Sequence, residues 1–180
     1  YLIPITYNKK LYKGKKMIKF MLFYFIMIVS LNANLIKVKE DEDKTIRARA
    51  LILNKKIENL KNLSEVEKLQ NVNSIINNAV KYSSDDKLYN KKNYVATINE
   101  MLRVDLKGDC EDYVMAKLEI LLYLGFNPEN IKMLVVEKEN VKHMKLLVMS
   151  SSSTIYTLDS LNKEFRVYNP DKNYKIYSSN

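Results

Sequence analysis

The chain has no tryptophan, one cysteine and one histidine, and only three glycines and three prolines in 180 residues. A single cysteine excludes an internal disulfide, and in an oxidising compartment a lone thiol is a liability unless it is buried or useful. Scarce Gly and Pro leave the turns to Asn, Asp and Ser. With one thiol, Cys110, and one imidazole, His143, a cysteine nucleophile with its base has no free choice of residues. No internal repeat is visible.

The first 33 residues differ from the rest. Residues 1–16 are basic, show no clear period and do not begin with Met, so they are expected to be upstream read-through with Met17 as the initiator. Met17-Ile18-Lys19 is a short positive stretch, Phe20 to Leu31 is apolar apart from Ser30, and Asn32-Ala33-Asn34 offers a small residue for cleavage. This three-part layout predicts a secretory signal over residues 17–33, with an apolar segment inside the usual range of about 7–15 residues. The run falls short of the roughly 20 residues that span a bilayer. An uncleaved membrane anchor is the competing reading.

Setting that segment aside changes the meaning of the charge. The formal net charge is +9, from 30 basic and 21 acidic residues, but lysines 9, 10, 13, 15, 16 and 19 precede Ala33 with no acid among them. Removing those six leaves 24 basic residues against 21 acidic, a net +3 with the signs interspersed. That argues against a nucleic-acid partner, which calls for a basic stripe or patch. Residues 34–180 are enough for one core and one domain.

Along this domain, Ile46, Ala50, Leu53, Ile57 and Leu60 recur every three or four positions and predict a helix over 45–63. Ser64-Glu65-Val66-Glu67 is a capping box opening a second helix that buries Leu69, Val72, Ile75, Ile76 and Ala79. Residues 82–92 are polar and read as loop, and 96–103 as a short helix. After Gly108 a helix runs from Cys110 to Leu124 with Val114, Leu118, Leu121 and Leu122 as its stripe, ending at Gly125. Segments 133–137, 142–149 and 154–159 are β-rich and predict an antiparallel meander, with further short strands near 165–168 and 174–178. Helices followed by sheet make the fold class α+β.

The order Cys110, His143, Asp159 is that of a nucleophile, its base and an orienting acid. Met144, Leu146 and Val148 suit the core and put His143 on the opposite face of its strand. A hairpin centred on Ser151 sets His143 directly opposite Asp159, where Cβ atoms lie about 4.5–5.5 Å apart. A slip of one residue would put them on different faces.

Cys110 sits where a helix begins, and the partial positive charge there favours a thiolate. Asp109, Glu111 and Asp112 around it act the other way and raise the thiol pKa. Two readings reconcile this. In the first, which the spacing favours, Asp109 is the N-cap and the acids complement the helix dipole. In the second the carboxylates hold a hard cation such as Ca²⁺, although three acids in four residues do not make an EF-hand loop.

Gly108-Asp109-Cys110-Glu111-Asp112-Tyr113, with Ala116-Lys117, Leu124-Gly125, His143-Met144 and Leu158-Asp159-Ser160-Leu161, resembles the bacterial transglutaminase-like cysteine proteinase family, which includes the LapG-type periplasmic proteases that clip large surface adhesins. The resemblance runs from about Val72 to the C-terminus. It implies a papain/transglutaminase-like fold, a catalytic triad of Cys110, His143 and Asp159, and Ca²⁺ held near the cysteine by Asp109, Glu111 and Asp112. It also implies a periplasmic protease whose substrate is a surface adhesin and which an inner-membrane receptor for cyclic di-GMP sequesters, so that adhesin cleavage controls attachment and biofilm formation. The chain departs from the family in residues 94–100, where a Trp and a Pro are usual and neither is present, and in LDSL where LDNL is usual.

The reading is therefore a periplasmic cysteine endopeptidase, with the Cys110 backbone N–H as an oxyanion donor. Two alternatives stand beside it. One is an acyl transferase of the transglutaminase type, in which an amine replaces water. The other is a non-catalytic binding module on the same fold.

Overall fold

The computed structural model describes residues 34–161, 165–170 and 175–178. The expected read-through and signal segments lie outside the described residues. Among the described residues no helix is long and apolar enough to cross a membrane.

The first helix, α1 (Lys44–Glu58), starts at Asp43, whose side chain accepts the Thr45 N–H at 2.7 Å. Its buried face is Ala50, Leu53 and Ile57. The apolar period carries on to Leu60, which is buried, but the α-helix does not. Amides of Leu60, Lys61 and Leu63 bond three residues back, so the chain tightens into turns before position 64. Helix α2 (Glu65–Ala79) opens on the expected capping box, Ser64 with Glu67, and buries Leu69, Val72, Asn73 and Ile76.

Three short elements were not anticipated. Strand β1 (Lys81–Tyr82) pairs in parallel with β2 (Lys107–Gly108), and helix α3 (Asp85–Tyr89) occupies the segment read as loop. The stitch between β1 and β2 is reinforced by the Ser83 N–H on the Gly108 carbonyl at 3.0 Å. It carries the end of α2 to the point where the cysteine helix begins. Helix α4 (Ile98–Arg103) has its own capping box, Thr97 with Glu100, and buries Ile98, Met101 and Leu102.

Helix α5 (Cys110–Tyr123) lies at the centre, packed on α2, α4 and the sheet. Its expected single stripe is an underestimate. Tyr113, Val114, Ala116, Leu118, Ile120 and Leu121 are all buried, and so are Asp112, Lys117 and Glu119. A helix apolar on nearly every side belongs inside a fold. Gly125, at φ +88°, closes α5 in the left-handed conformation that glycine adopts without strain.

The sheet has five antiparallel strands in the order β6-β5-β4-β3-β7, formed by β3 (Ile131–Lys138), β4 (Val141–Met149), β5 (Ile155–Leu158), β6 (Arg166–Val167) and β7 (Lys175–Ser178). Glu139 and Asn140, at φ 53° and 65°, form the two-residue turn between β3 and β4. Leu146 and Val148 of β4 and Leu158 of β5, each fully buried, join the core under α5. The meander is not simple, because the last strand returns past three others to pair with β3.

Candidate active site and acidic cluster

Register decides whether the base can meet the acid. Met149 pairs with Ile155 and Leu146 with Leu158, so the β4–β5 hairpin is centred on Ser152 rather than Ser151. The expectation that His143 sits directly opposite Asp159 is therefore corrected by two residues. A two-residue shift preserves the face. The pair becomes diagonal, and His143 Nε2 lies 2.6 Å from Asp159 Oδ1 with both residues buried. Ser150 bonds around the turn to Thr154, and Glu65 of α2 accepts the Ser151 N–H and hydroxyl, which fixes the longer loop.

Asp159 is held from several sides. Its Oδ1 also accepts the Leu161 N–H at 2.9 Å, and its main-chain carbonyl accepts Asn77 Nδ2 at 2.7 Å. Burial pushes its pKa up, but the His143 hydrogen bond and charge, the Leu161 N–H and the Lys145 charge outweigh burial and hold it below the usual aspartate value.

Cys110 is the first residue of α5 and is half-buried. The backbone N–H of Met144, the residue after His143 on β4, acts on its sulfur to lower the thiol pKa. Helix α5, which carries the thiol at its head, packs on the strand that carries the imidazole. Burial first, then the charges of Asp109 and Glu111, push the thiol pKa up to about 11, with the Met144 N–H acting the other way.

The acids around the cysteine separate into two roles. Asp112 is fully buried. One carboxylate oxygen accepts the Ala96 N–H at 2.7 Å and the other the Asp109 N–H at 3.0 Å, completing a capping box in which Asp109 accepts the Glu111 N–H. Gly108 makes room for this. A Cβ there would stand 2.5 Å from Asp112 Oδ2 and 2.6 Å from Asp112 Cβ.

Asp109 and Glu111 instead gather with Asp85, the first residue of α3, and carboxylate oxygens of these three lie within 4.8 Å of one another. Asp112 is outside this group. Asp85 is buried, and its Oδ2 accepts the Tyr94 N–H at 2.6 Å. Its Oδ1 is buried with no hydrogen-bond partner among the described residues. Burial, then mutual repulsion, raises the pKa of Asp109, and takes that of Glu111 to about 7. Asp85 is raised by burial. An all-oxygen set with crowded carboxylates and an orphaned oxygen fits a hard divalent cation such as Ca²⁺.

Sequence reasoning thus named Asp109 and Glu111 and missed Asp85. Ser84-Asp85-Asp86 before Leu88 and Tyr89 has the composition of a helix start, which was the available signal.

The family model described as bacterial transglutaminase-like cysteine proteinase matches residues 42–179. No curated protein sequence matches. Among solved structures, calcium-bound LapG of Legionella pneumophila is similar, with a TM-score of 0.66 at 23% identity over 88% of this chain and 83% of that one. The EGTA-treated form of the same protein gives a TM-score of 0.65 at 23% identity over 88% of this chain and 81% of that one.

Proposed function

This chain belongs to the bacterial transglutaminase-like cysteine proteinase family and is a cysteine protease, and from that premise we propose that it is a calcium-dependent endopeptidase of the periplasm that uses Cys110, His143 and Asp159 to release a large surface adhesin. The observation that supports this most is the buried 2.6 Å contact between His143 Nε2 and Asp159 Oδ1, on the strand against which the Cys110 helix packs.

With Nε2 committed to Asp159, Nδ1 is the ring nitrogen left to act on the thiol. His143 takes the Cys110 proton, and Asp159 fixes the tautomer and stabilises the imidazolium. The thiolate attacks the peptide carbonyl carbon, and the Cys110 backbone N–H at the start of α5 faces the developing oxyanion. The C–N bond breaks as His143 returns the proton to the leaving amine. Water, deprotonated by the same imidazole, then hydrolyses the thioester.

Asp85, Asp109 and Glu111 would hold the cation. When bound it supplies positive charge that cancels the carboxylates' opposition to a thiolate. Asp112, one of the three acids expected to bind metal, serves the helix cap instead.

The expected partners are the adhesin and an inner-membrane receptor for cyclic di-GMP that sequesters the protease. Residues 94–100, where the family carries a Trp, present here a Tyr94 hydroxyl that donates to Glu100 at 2.5 Å.

The test is incubation with Ca²⁺ and an N-terminal fragment of a large repeat-rich surface adhesin. Two fragments are expected from the wild type and none from C110A. An isopeptide-linked product would replace this reading with an acyl transferase. Unchanged adhesin processing in C110A cells would replace it with a binding module.

A further inference from the structure

Asp85 divides its carboxylate between two tasks. Oδ2 accepts the Tyr94 N–H at 2.6 Å, while Oδ1 is buried without a partner among the described residues. The first bond fixes the plane of the carboxylate, and the second oxygen is the one left for a cation. Asp85 is also the buried member of the acidic cluster, whereas Asp109 and Glu111 are half-buried.

The amide that fixes Asp85 belongs to a residue held from several directions. Asn90 and Asn93, at φ 51° and 54°, adopt the left-handed conformation and turn the chain back after α3. Tyr94 thereby returns to the helix that has just ended. Its amide bonds to the first residue of α3, and its ring lies against that of Tyr89, the last residue, with centroids 4.6 Å apart. The Lys91 amine stands 4.3 Å from the centre of the same ring. The Tyr94 hydroxyl donates to Glu100 Oε1 at 2.5 Å, which ties the ring to α4. Further along, the amides of Ala96 and Ile98 bond to Asp112 and Glu119 of α5. Residues 94–98 are thus a strap whose amides at every second position meet carboxylates, as an extended segment allows. Tyr94 is the point where that strap touches the acidic cluster.

We propose that Tyr94 is a positioning residue of the cation cluster: its ring, held by Tyr89 and Glu100, keeps its own N–H on Asp85 Oδ2 and so presents Oδ1 to the cation. The proposal rests on the reading of Asp85, Asp109 and Glu111 as a cation site. Groups that orient a ligating carboxylate govern metal affinity without touching the ion. By linkage, a bound cation strengthens the Tyr94 bond to Asp85 as much as that bond strengthens cation binding.

The experiment measures the Ca²⁺ dissociation constant of the full chain by calorimetric titration, with melting temperatures, for wild type, Y94A, Y94F, Y89L and L53A. Y94A and Y89L are expected to weaken Ca²⁺ binding by roughly ten- to a hundredfold, the usual effect of losing an outer partner of a metal ligand. Y94F keeps the ring contacts and loses the bond to Glu100, so it should weaken binding by a smaller factor. Leu53 is buried in α1, away from the strap, and L53A should lower the melting temperature through its cavity while leaving Ca²⁺ affinity unchanged. In the wild type, Ca²⁺ should slow hydrogen exchange at the Tyr94 amide, and an exchange rate that ignores Ca²⁺ would overturn the proposal. Wild-type affinity in Y94A would overturn it and leave the cation cluster standing. Equal weakening in L53A would reduce the effect to lost stability and overturn it too. If Y94A does not fold, Y89L and Y94F decide, and wild-type affinity in both would overturn it. No Ca²⁺ binding by the wild type would sink the cation reading itself, and this proposal with it.

Discussion

Asp85 at the start of α3 and Asp109 at the start of α5 present carboxylate oxygens within 4.8 Å of each other, drawn together by the parallel stitch of β1 on β2. Neither residue lies near the other in sequence. Ca²⁺ should therefore raise the melting temperature and EGTA lower it, with activity lost on chelation. D85N should abolish the calcium-dependent shift, which thermal melts across a Ca²⁺ titration would detect. An unchanged shift in D85N would exclude Asp85 as a ligand.

The same cluster sets a pH dependence. The Glu111 pKa is about 7, and metal binding requires the ionised form. Calcium must displace a proton below pH 7 and need not above it. Affinity should weaken as pH falls from 7 to 6, by up to about tenfold for one proton displaced. Calorimetric titrations at pH 6 and 8 would measure this, and equal affinities would refute it.

Gly108 has no space for a methyl group against Asp112. G108A should displace the Asp112 carboxylate and cost about 1–3 kcal/mol, the usual range for overpacking a tight site. Denaturant unfolding would give the value. A neutral effect would mean that the cap at the head of α5 can relax.

Glu119 is almost wholly buried and, among the described residues, accepts the Ile98 N–H alone, in long contacts at 3.3 and 3.4 Å. Burial raises its pKa to about 8. The folded state therefore keeps a proton that the unfolded chain releases above its ordinary value of about 4.3. Between those two pH values the native state binds more protons, so this group makes stability fall as pH rises and then level off above 8. E119Q should remove that slope and be more stable than wild type at pH 8. Melting curves of both proteins from pH 5 to 9 would reveal it.

Asp159 has the opposite sign. Its folded pKa is held below the unfolded value of about 3.9, so its contribution is fully present above that pH and is lost as pH falls through the folded value. Acid unfolding of H143A, which lacks the hydrogen bond that depresses this pKa, should show a smaller loss of stability below pH 4 than wild type.

How much of this could be read from residues alone follows the strength of each local signal. The helices with a full apolar period, α1, α2 and α5, were legible, as were the caps at Ser64 and Gly125 and the strands from 131 to 158. The His143–Asp159 pairing was legible because there is one histidine and because strand alternation assigns a face. Alternation fixes parity but not offset, so the register error was a whole two residues and left the face correct. What escaped was held by long-range backbone pairing. The two-residue strands β1 and β2 have no periodicity to display, and α3 is polar and short. Asp85 escaped with them, because its place in the cluster comes from that pairing and not from its neighbours. Asp112 illustrates the converse. The family resemblance implied metal binding for it, while its side chain points back to amides that would otherwise be unsatisfied, as the spacing favoured.

The return of β7 to the flank of β3 bears on how the protein can be handled and altered. The final strand shields a row of backbone donors and acceptors that would otherwise lie open. Truncating the chain ahead of residue 175 would uncover that row and create a template for self-association into aggregates. An affinity handle fused after residue 178 would hang directly from this outermost strand, whereas one fused ahead of residue 34 would leave the sheet's border intact.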